Sequence, residues 1–268
     1  MIAQANYNNA RMHIVSITTD FGLQDYYVAE LKAQIYHRSP DVRIVDVSHS
    51  IDSHDIVQAA HFVENVFRSF PKRSIHCVAV YNYYQKHSSF IAFERDGHYF
   101  IGPDNGVFSL MFEDLNPTDV FEIDHKLLGL DSIAKTIGWA TSYLVKRNPI
   151  DEIGIQRTEI NQKMGIKPVV VGSQIRATII HIDHYKNVVI NLKKDKFDKI
   201  RKGRDFQIYY KQKDPITQIS ENYGDVAITD VMCSFNTAGY LQIGINMGKA
   251  STMLNLNKNE TIQINFLD

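Results

Sequence analysis

The sequence predicts an α/β fold: an N-terminal layered α/β domain over residues 12–164 with a mostly parallel sheet, and a smaller C-terminal all-β, barrel-like domain over residues 165–268. Three observations carry this. Apolar strand-like runs alternate with segments of helical period through the first part of the chain. After 161–167 the pattern changes to short β-type runs punctuated by Gly, Asn and Asp. A chain of 268 residues, 44% of them hydrophobic, can build two cores.

In order, His13 to Thr18 reads as a buried strand ending in the polar turn Thr19-Asp20-Phe21-Gly22. A helix follows from Asp25 to about Arg38, with Val28, Leu31 and Ile35 on one face. Val42 to Val47 is a strand, Asp55 to Phe70 a helix closed by Pro71, and Ile75 to Val80 a third strand. Phe90 to Arg95 and His98 to Ile101 form a hairpin turned at Asp96-Gly97. Pro103-Asp104-Asn105-Gly106 is a turn, and Ser132 to Val145 is helical. The C-terminal strands are Val169-Val-Val, Arg176 to Ile182, Val188 to Leu192, Phe206 to Tyr210, Val226 to Cys233, Tyr240 to Ile245 and Thr261 to Phe266.

Charge narrows the function classes. With 29 Lys plus Arg against 30 Asp plus Glu, the net charge is −1, which disfavours a phosphate-backbone partner. No run reaches the roughly 18 apolar residues of a membrane span. Residues 1–11 lack the apolar middle of a signal peptide. Cys77 and Cys233 sit in apolar strands, as buried thiols of a reducing compartment do. A cytoplasmic protein with no nucleic-acid or membrane partner is expected.

Candidate chemistry lies at strand ends, where open sheets collect ligands. Asp20 and Tyr81 both fall there. An ionised carboxylate is a pure acceptor and suits a ribose diol, whereas its bland role is a helix N-cap; Asp25 is better placed than Asp20 to cap the helix. Asp46, His49, His54 and Asp55 form a polar cluster without metal-ligand spacing, and capping by Ser53 or Asp55 is the simpler reading. No metal site is expected. Asp183-His-Tyr-Lys-Asn187 offers a carboxylate, an aromatic face and an amide in one short loop, suited to an amine and a flat base, though a tight hairpin explains the spacing too. No G-x-S-x-G elbow, Walker or G-x-G-x-x-G motif is present.

The order of motifs is distinctive. Thr18-Thr-Asp-Phe-Gly-Leu-Gln-Asp-Tyr-Tyr-Val28, Pro40-Asp-Val-Arg-Ile-Val-Asp-Val-Ser-His-Ser50, Ile101-Gly-Pro-Asp-Asn-Gly106, Ile182-Asp-His-Tyr-Lys-Asn187 and Asn236-Thr-Ala-Gly-Tyr-Leu-Gln-Ile-Gly-Ile-Asn246 stand in one chain. Together they resemble the S-adenosyl-L-methionine (SAM) hydroxide adenosyltransferase family, which also contains the SAM-dependent fluorinase and chlorinase. The resemblance implies a homotrimer with sites between subunits. It implies SAM as substrate or ligand rather than a separate cofactor, and attack at C5′ by water or hydroxide to give adenosine and L-methionine. It places Asp20 on the ribose diol, Asp25 and Asp183 near the methionine amine, and Asn187 at the adenine edge. Tyr185 and Tyr223 fall beside the base, and Thr237 where a Ser meets the carboxylate.

The family's water-activating Asp, Arg and His are absent. Tyr81 replaces the Asp, Ser88 or Ser89 the Arg, and Ser132 the His. A rebuilt nucleophile site around Tyr81, His87 and Ser132 is the expectation for a SAM hydrolase. The alternative is a catalytically weak or inactive SAM/adenosine-binding protein. A third reading is a SAM-dependent halogenase, since Tyr81 matches that branch, while Ile133, Ala238 and Ile245 depart from it.

Overall fold

The computed structural model describes residues 13–82, 89–210 and 215–267. The chain divides into two compact units, Met1–Met164 and Gly165–Asp268.

In the first unit β1 (Ile14–Thr19), α1 (Tyr27–Arg38), β2 (Arg43–Ser48), α2 (Ile56–Val66) and β3 (Ile75–Ala79) alternate. Then come β4 (Phe90–Arg95), β5 (His98–Pro103), α3 (Val107–Met111), β6 (Val120–Ile123), α4 (Ile133–Val145) and β7 (Ile155–Gln156). The sheet order is β2-β1-β3-β5-β4-β6-β7. The pairings β1–β2, β1–β3 and β3–β5 are parallel, but β4–β5, β4–β6 and β6–β7 are antiparallel. The sheet is therefore mixed, not mostly parallel as the sequence implied. The cause is the hairpin itself: Asp96 and Gly97 have φ of 52° and 72°. Two left-handed residues in a two-residue loop reverse the chain, so β4 must run against β5.

Alternation along the strands feeds both faces of this sheet. Val15, Ile17, Ile75, Cys77, Ala79 and Ile101 pack with Leu31 and Ile35 of α1 and Ile137 and Ala140 of α4. Val78, Val80, Phe93 and Phe100 pack on the other face with Ala59, Ala60 and Val63 of α2 and Phe108 and Met111 of α3. Helices α1 and α4 approach closely because Gly138 has no side chain; a Cβ there would lie 2.7 Å from the Gln34 carbonyl oxygen. Helix α1 begins at Tyr27 with no side-chain cap, so Asp25 does not cap it. Helix α2 is capped by Asp55, whose carboxylate accepts from the Gln58 N–H at 2.9 Å.

The second unit contains β8 (Val169–Val171), β9 (Gln174–Ile182), β10 (Val188–Lys193), α5 (Lys194–Arg201) and β11 (Phe206–Tyr209). β12 (Val231–Phe235), β13 (Tyr240–Ile245), α6 (Ala250–Leu254) and β14 (Thr261–Phe266) complete it. All its strand pairings are antiparallel, in the order β11-β14-β9-β10-β13-β12, with β8 on β9. The long strand β9 pairs with β14 through Thr178 and with β10 from Ile179 onward, which lets the sheet curl. The start expected at Val226 falls at Val231.

Candidate functional site

The carboxyl ends of the parallel strands β1, β3 and β5 bring together Asp20, Tyr81 and Asn105. Asp20 does not cap a helix. Its Oδ2 accepts from the backbone N–H of His54 at 3.0 Å and of Tyr81 at 3.2 Å. Oδ1 takes no hydrogen bond from a described residue, so half of the carboxylate is open to a ligand. Both donors are non-glycine residues in the left-handed region, His54 at φ 67° and Tyr81 at φ 51°. Their rings meet edge to face, with centroids 5.0 Å apart. Such backbone conformations are costly for ordinary residues and recur at functional sites.

The strain at Tyr81 is held in place by Asn105. This buried side chain donates from Nδ2 to the carbonyl oxygens of Val80 at 2.9 Å and Tyr81 at 3.1 Å, and its Oδ1 accepts from the Val107 N–H. The preceding Asp104 is buried and accepts from the Asn161 N–H at 2.9 Å. Burial raises the Asp104 pKa, against the pull of Asn161 and Arg157. As a sequence motif, Pro103-Asp104-Asn105-Gly106 says only that the chain turns; its use of Asn105 to clamp another strand end depends on the β3–β5 pairing.

The polar cluster after β2 separates into three parts. His49 Nδ1 meets Thr19 Oγ1 at 2.9 Å and its Nε2 lies 3.1 Å from Asp46 Oδ1. Asp46 also accepts from Lys32 Nζ at 2.6 Å. Burial would raise the Asp46 pKa, but the hydrogen bonds from Lys32 and His49 outweigh it and hold the carboxyl low. His54 faces Tyr81, and Asp55 caps α2. Among the described residues, no group of three His, Cys, Asp or Glu is arranged to hold a metal.

Asp25 is exposed in the loop before α1. Ser132 is the N-cap of α4, its Oγ accepting from the Lys135 N–H at 3.2 Å. His87 lies outside the described residues.

The second unit assembles a separate polar cluster. Asp183 Oδ1 accepts from the Asn187 N–H at 2.8 Å and Oδ2 from Asn187 Nδ2 at 2.9 Å, so the carboxylate orients the amide. Gln242 Nε2 donates to the Tyr223 hydroxyl at 3.2 Å. Burial and the nearby Asp183 charge raise the Tyr223 pKa, opposed by hydrogen bonds with Asn187 and Gln242. Gly244 completes the group; a Cβ there would lie 3.0 Å from Asn187 Oδ1 and 3.1 Å from Tyr223 Cε1. Asn187 is only 4% exposed, whereas Tyr185 is 74% exposed. Thr237 is exposed in the turn between β12 and β13. Gln242 and Gly244 escaped the sequence reading because only strand register sets them beside Asn187: Val188 pairs with Ile243 and Val189 with Gln242.

Comparison with known proteins places these features. Models of the SAM hydroxide adenosyltransferase N-terminal and C-terminal domains match residues 15–137 and 177–263. The chain is 26% identical over 267 residues to an (R)-S-adenosyl-L-methionine hydrolase of Methanocaldococcus jannaschii, covering 94% of this chain and 96% of that one. It is 23% identical over 288 residues to a fluorinase of an Actinoplanes species, covering 94% and 97%. A crystal structure of a conserved protein from Thermotoga maritima has the same fold, with a TM-score of 0.81 at 23% identity, over 94% of this chain and 99% of that one. With both domains matched in order, this chain belongs to the SAM hydroxide adenosyltransferase family.

Proposed function

We propose that the protein binds SAM and hydrolyses it at C5′ to adenosine and L-methionine. The observation that carries this is Asp20: one carboxylate oxygen fixed by two backbone N–H groups and the other open, at the carboxyl ends of three parallel strands. That arrangement suits a ribose diol, which donates to an ionised carboxylate with bonds of roughly 1.5–3 kcal/mol each. In the second unit, Asn187 and Tyr223 offer an amide and a flat ring to adenine, with Asp183 holding the amide in orientation. Asp25, Tyr185 and Thr237 are exposed side chains that remain assigned to the ligand by the family's pattern alone.

The chemistry asked of the chain is modest. Water attacks C5′, and the C5′–S bond breaks with its electron pair going to sulfur. The sulfonium charge vanishes as methionine leaves, so positioning and removal of bulk water favour the step. A homotrimer with SAM held by residues of neighbouring subunits belongs to the same proposal. The buried free thiols Cys77 and Cys233 fit a reducing compartment.

Calorimetry with SAM and chromatography of the products, on one sample, test this reading. Release of adenosine and methionine supports it; binding without either product overturns it. A second reading, a SAM or adenosine binder with little turnover, is favoured by Ser132, whose hydroxyl is engaged in capping α4. Similarity to a fluorinase gives the halogenase reading its place; 5′-halo-adenosine formed with added halide would establish it.

A further inference from the structure

We propose that His54 takes the proton from the water that attacks C5′, a role the family's missing Asp, Arg and His would otherwise fill. The inference rests on the hydrolytic reading above. It starts from what the first unit places beside Asp20. Tyr81 has no basic nitrogen, and Ser132 Oγ is committed to the Lys135 N–H. Among the described residues, His54 is the imidazole in contact with the Asp20–Tyr81 pair: its own N–H fixes Asp20 Oδ2, and its ring lies edge-on to Tyr81.

Three further features fit a proton acceptor. The His54 side chain is exposed, and neither ring nitrogen is hydrogen-bonded to a described residue, so a nitrogen is free for water. Its left-handed backbone is held by a long-range contact to the Asp20 carboxylate just beyond β1, and its ring by the edge-on contact with Tyr81. Imidazole is also the side chain whose ordinary titration falls nearest neutrality, which suits a general base. Among the described residues, the titratable groups it meets are Asp20 from the end of β1 and Tyr81 from the end of β3, with Asp52 and Asp55 on its own segment.

The step balances. The water oxygen bonds to C5′ as the C5′–S pair leaves with sulfur, and the water proton passes to the imidazole and then to solvent. SAM, a cation, and water thus become adenosine, methionine and one released proton.

The test uses the full chain and two variants compatible with φ 67°. Asn tolerates the left-handed region, so His54→Asn keeps the main-chain bond to Asp20 and removes the base. Its kcat should fall about 100-fold or more, with the SAM dissociation constant within about threefold of wild type. The acidic limb of the wild-type pH profile of kcat should be lost with it. His54→Gly leaves a ring-sized space, and added imidazole should restore turnover there. An active wild type together with an unchanged kcat and pH profile in His54→Asn overturns the role of His54 alone. Parallel loss of SAM affinity and turnover also overturns it, because a ring that merely packs would produce that. A wild type that binds SAM without releasing adenosine overturns the hydrolytic reading and this role together, so the wild-type assay separates the two failures.

Discussion

Acid should destabilise the first unit through one buried histidine, and the size of the effect follows from its surroundings. His76 lies in β3 with 1% of its surface exposed. Its Nδ1 meets Ser16 Oγ at 2.6 Å and its Nε2 meets His98 Nδ1 at 3.2 Å. Phe67, Phe70 and Phe100 surround the ring. Burial, and secondarily the neighbouring His98, lower its pKa from 6.5 to about 3. In the unfolded chain the ring protonates near pH 6.5, while in the folded chain it stays neutral. The unfolded state therefore binds more protons between those values, and stability falls as pH drops through that window. At pH 5 the loss from His76 alone is about 2 kcal/mol, growing to roughly 4 kcal/mol by pH 3. Denaturant melts at pH 8 and pH 5, on wild type and His76→Phe, measure it. Phe fits the aromatic surroundings but leaves Ser16 and His98 without a partner, so it should cost about 1–3 kcal/mol at pH 8. Between pH 8 and pH 5 the variant should lose about 2 kcal/mol less than wild type. Burial also lowers the His98 pKa, so some slope remains in the variant. Equal losses in the two proteins would refute the argument.

Three substitutions test the site and its support. Asp20→Ala should weaken adenosine binding at least tenfold by calorimetry and abolish discrimination against 2′-deoxyadenosine; retained discrimination would take Asp20 off the diol. Gly244→Ala puts a Cβ 3.0 Å from Asn187 Oδ1 and 3.1 Å from Tyr223 Cε1. It should reduce adenosine affinity with little change in melting temperature, and an unaltered affinity counts against the second-unit cluster as the base site. Gly138→Ala should lower unfolding free energy by about 1–3 kcal/mol in a denaturant melt although Ala is the better helix former, since its methyl meets the Gln34 backbone of α1. A stabilised variant would mean that α1 and α4 can separate at no cost.

How much was legible in the sequence depended on whether the signal was local. The Asp96-Gly97 turn could be read because Asp and Gly suit the positive φ of a two-residue loop, yet where the hairpin joins the parallel strands required knowing that β5 inserts beside β3. The helix α5 went unread because Lys194–Arg201 is short and turns only Phe197 and Ile200 to the core, too few apolar positions to mark a helical period. Asp20 could be placed at a strand end from the sequence. Its fixing groups could not, since they are main-chain N–H groups of two non-glycine residues brought together by the sheet. Asp183 and Asn187 were legible as a pair in one loop; Gln242 and Gly244 belong with them only through the β10–β13 register. Asp25 marks the opposite case, since as the expected cap of α1 it meets a helix that begins at Tyr27 with no side-chain cap.

The same distinction shows how the main-chain geometry at the Asp20 strand end can stay fixed while its side chains change. Tyr81 is clamped through its backbone: Asp20 holds its N–H, and Asn105 holds its carbonyl and that of Val80. None of these bonds uses the side chain. A change of side chain at this position therefore alters what projects from the strand end without releasing the Asp20 carboxylate. His54 obeys the same rule, since its N–H serves Asp20 while its ring is left for other work. Binding carried by main-chain geometry and chemistry carried by side chains can diverge independently. In this chain the main-chain contacts at Asp20 are independent of the Tyr81 and His54 side chains, which is the separation that the proposed roles of Asp20 and His54 require.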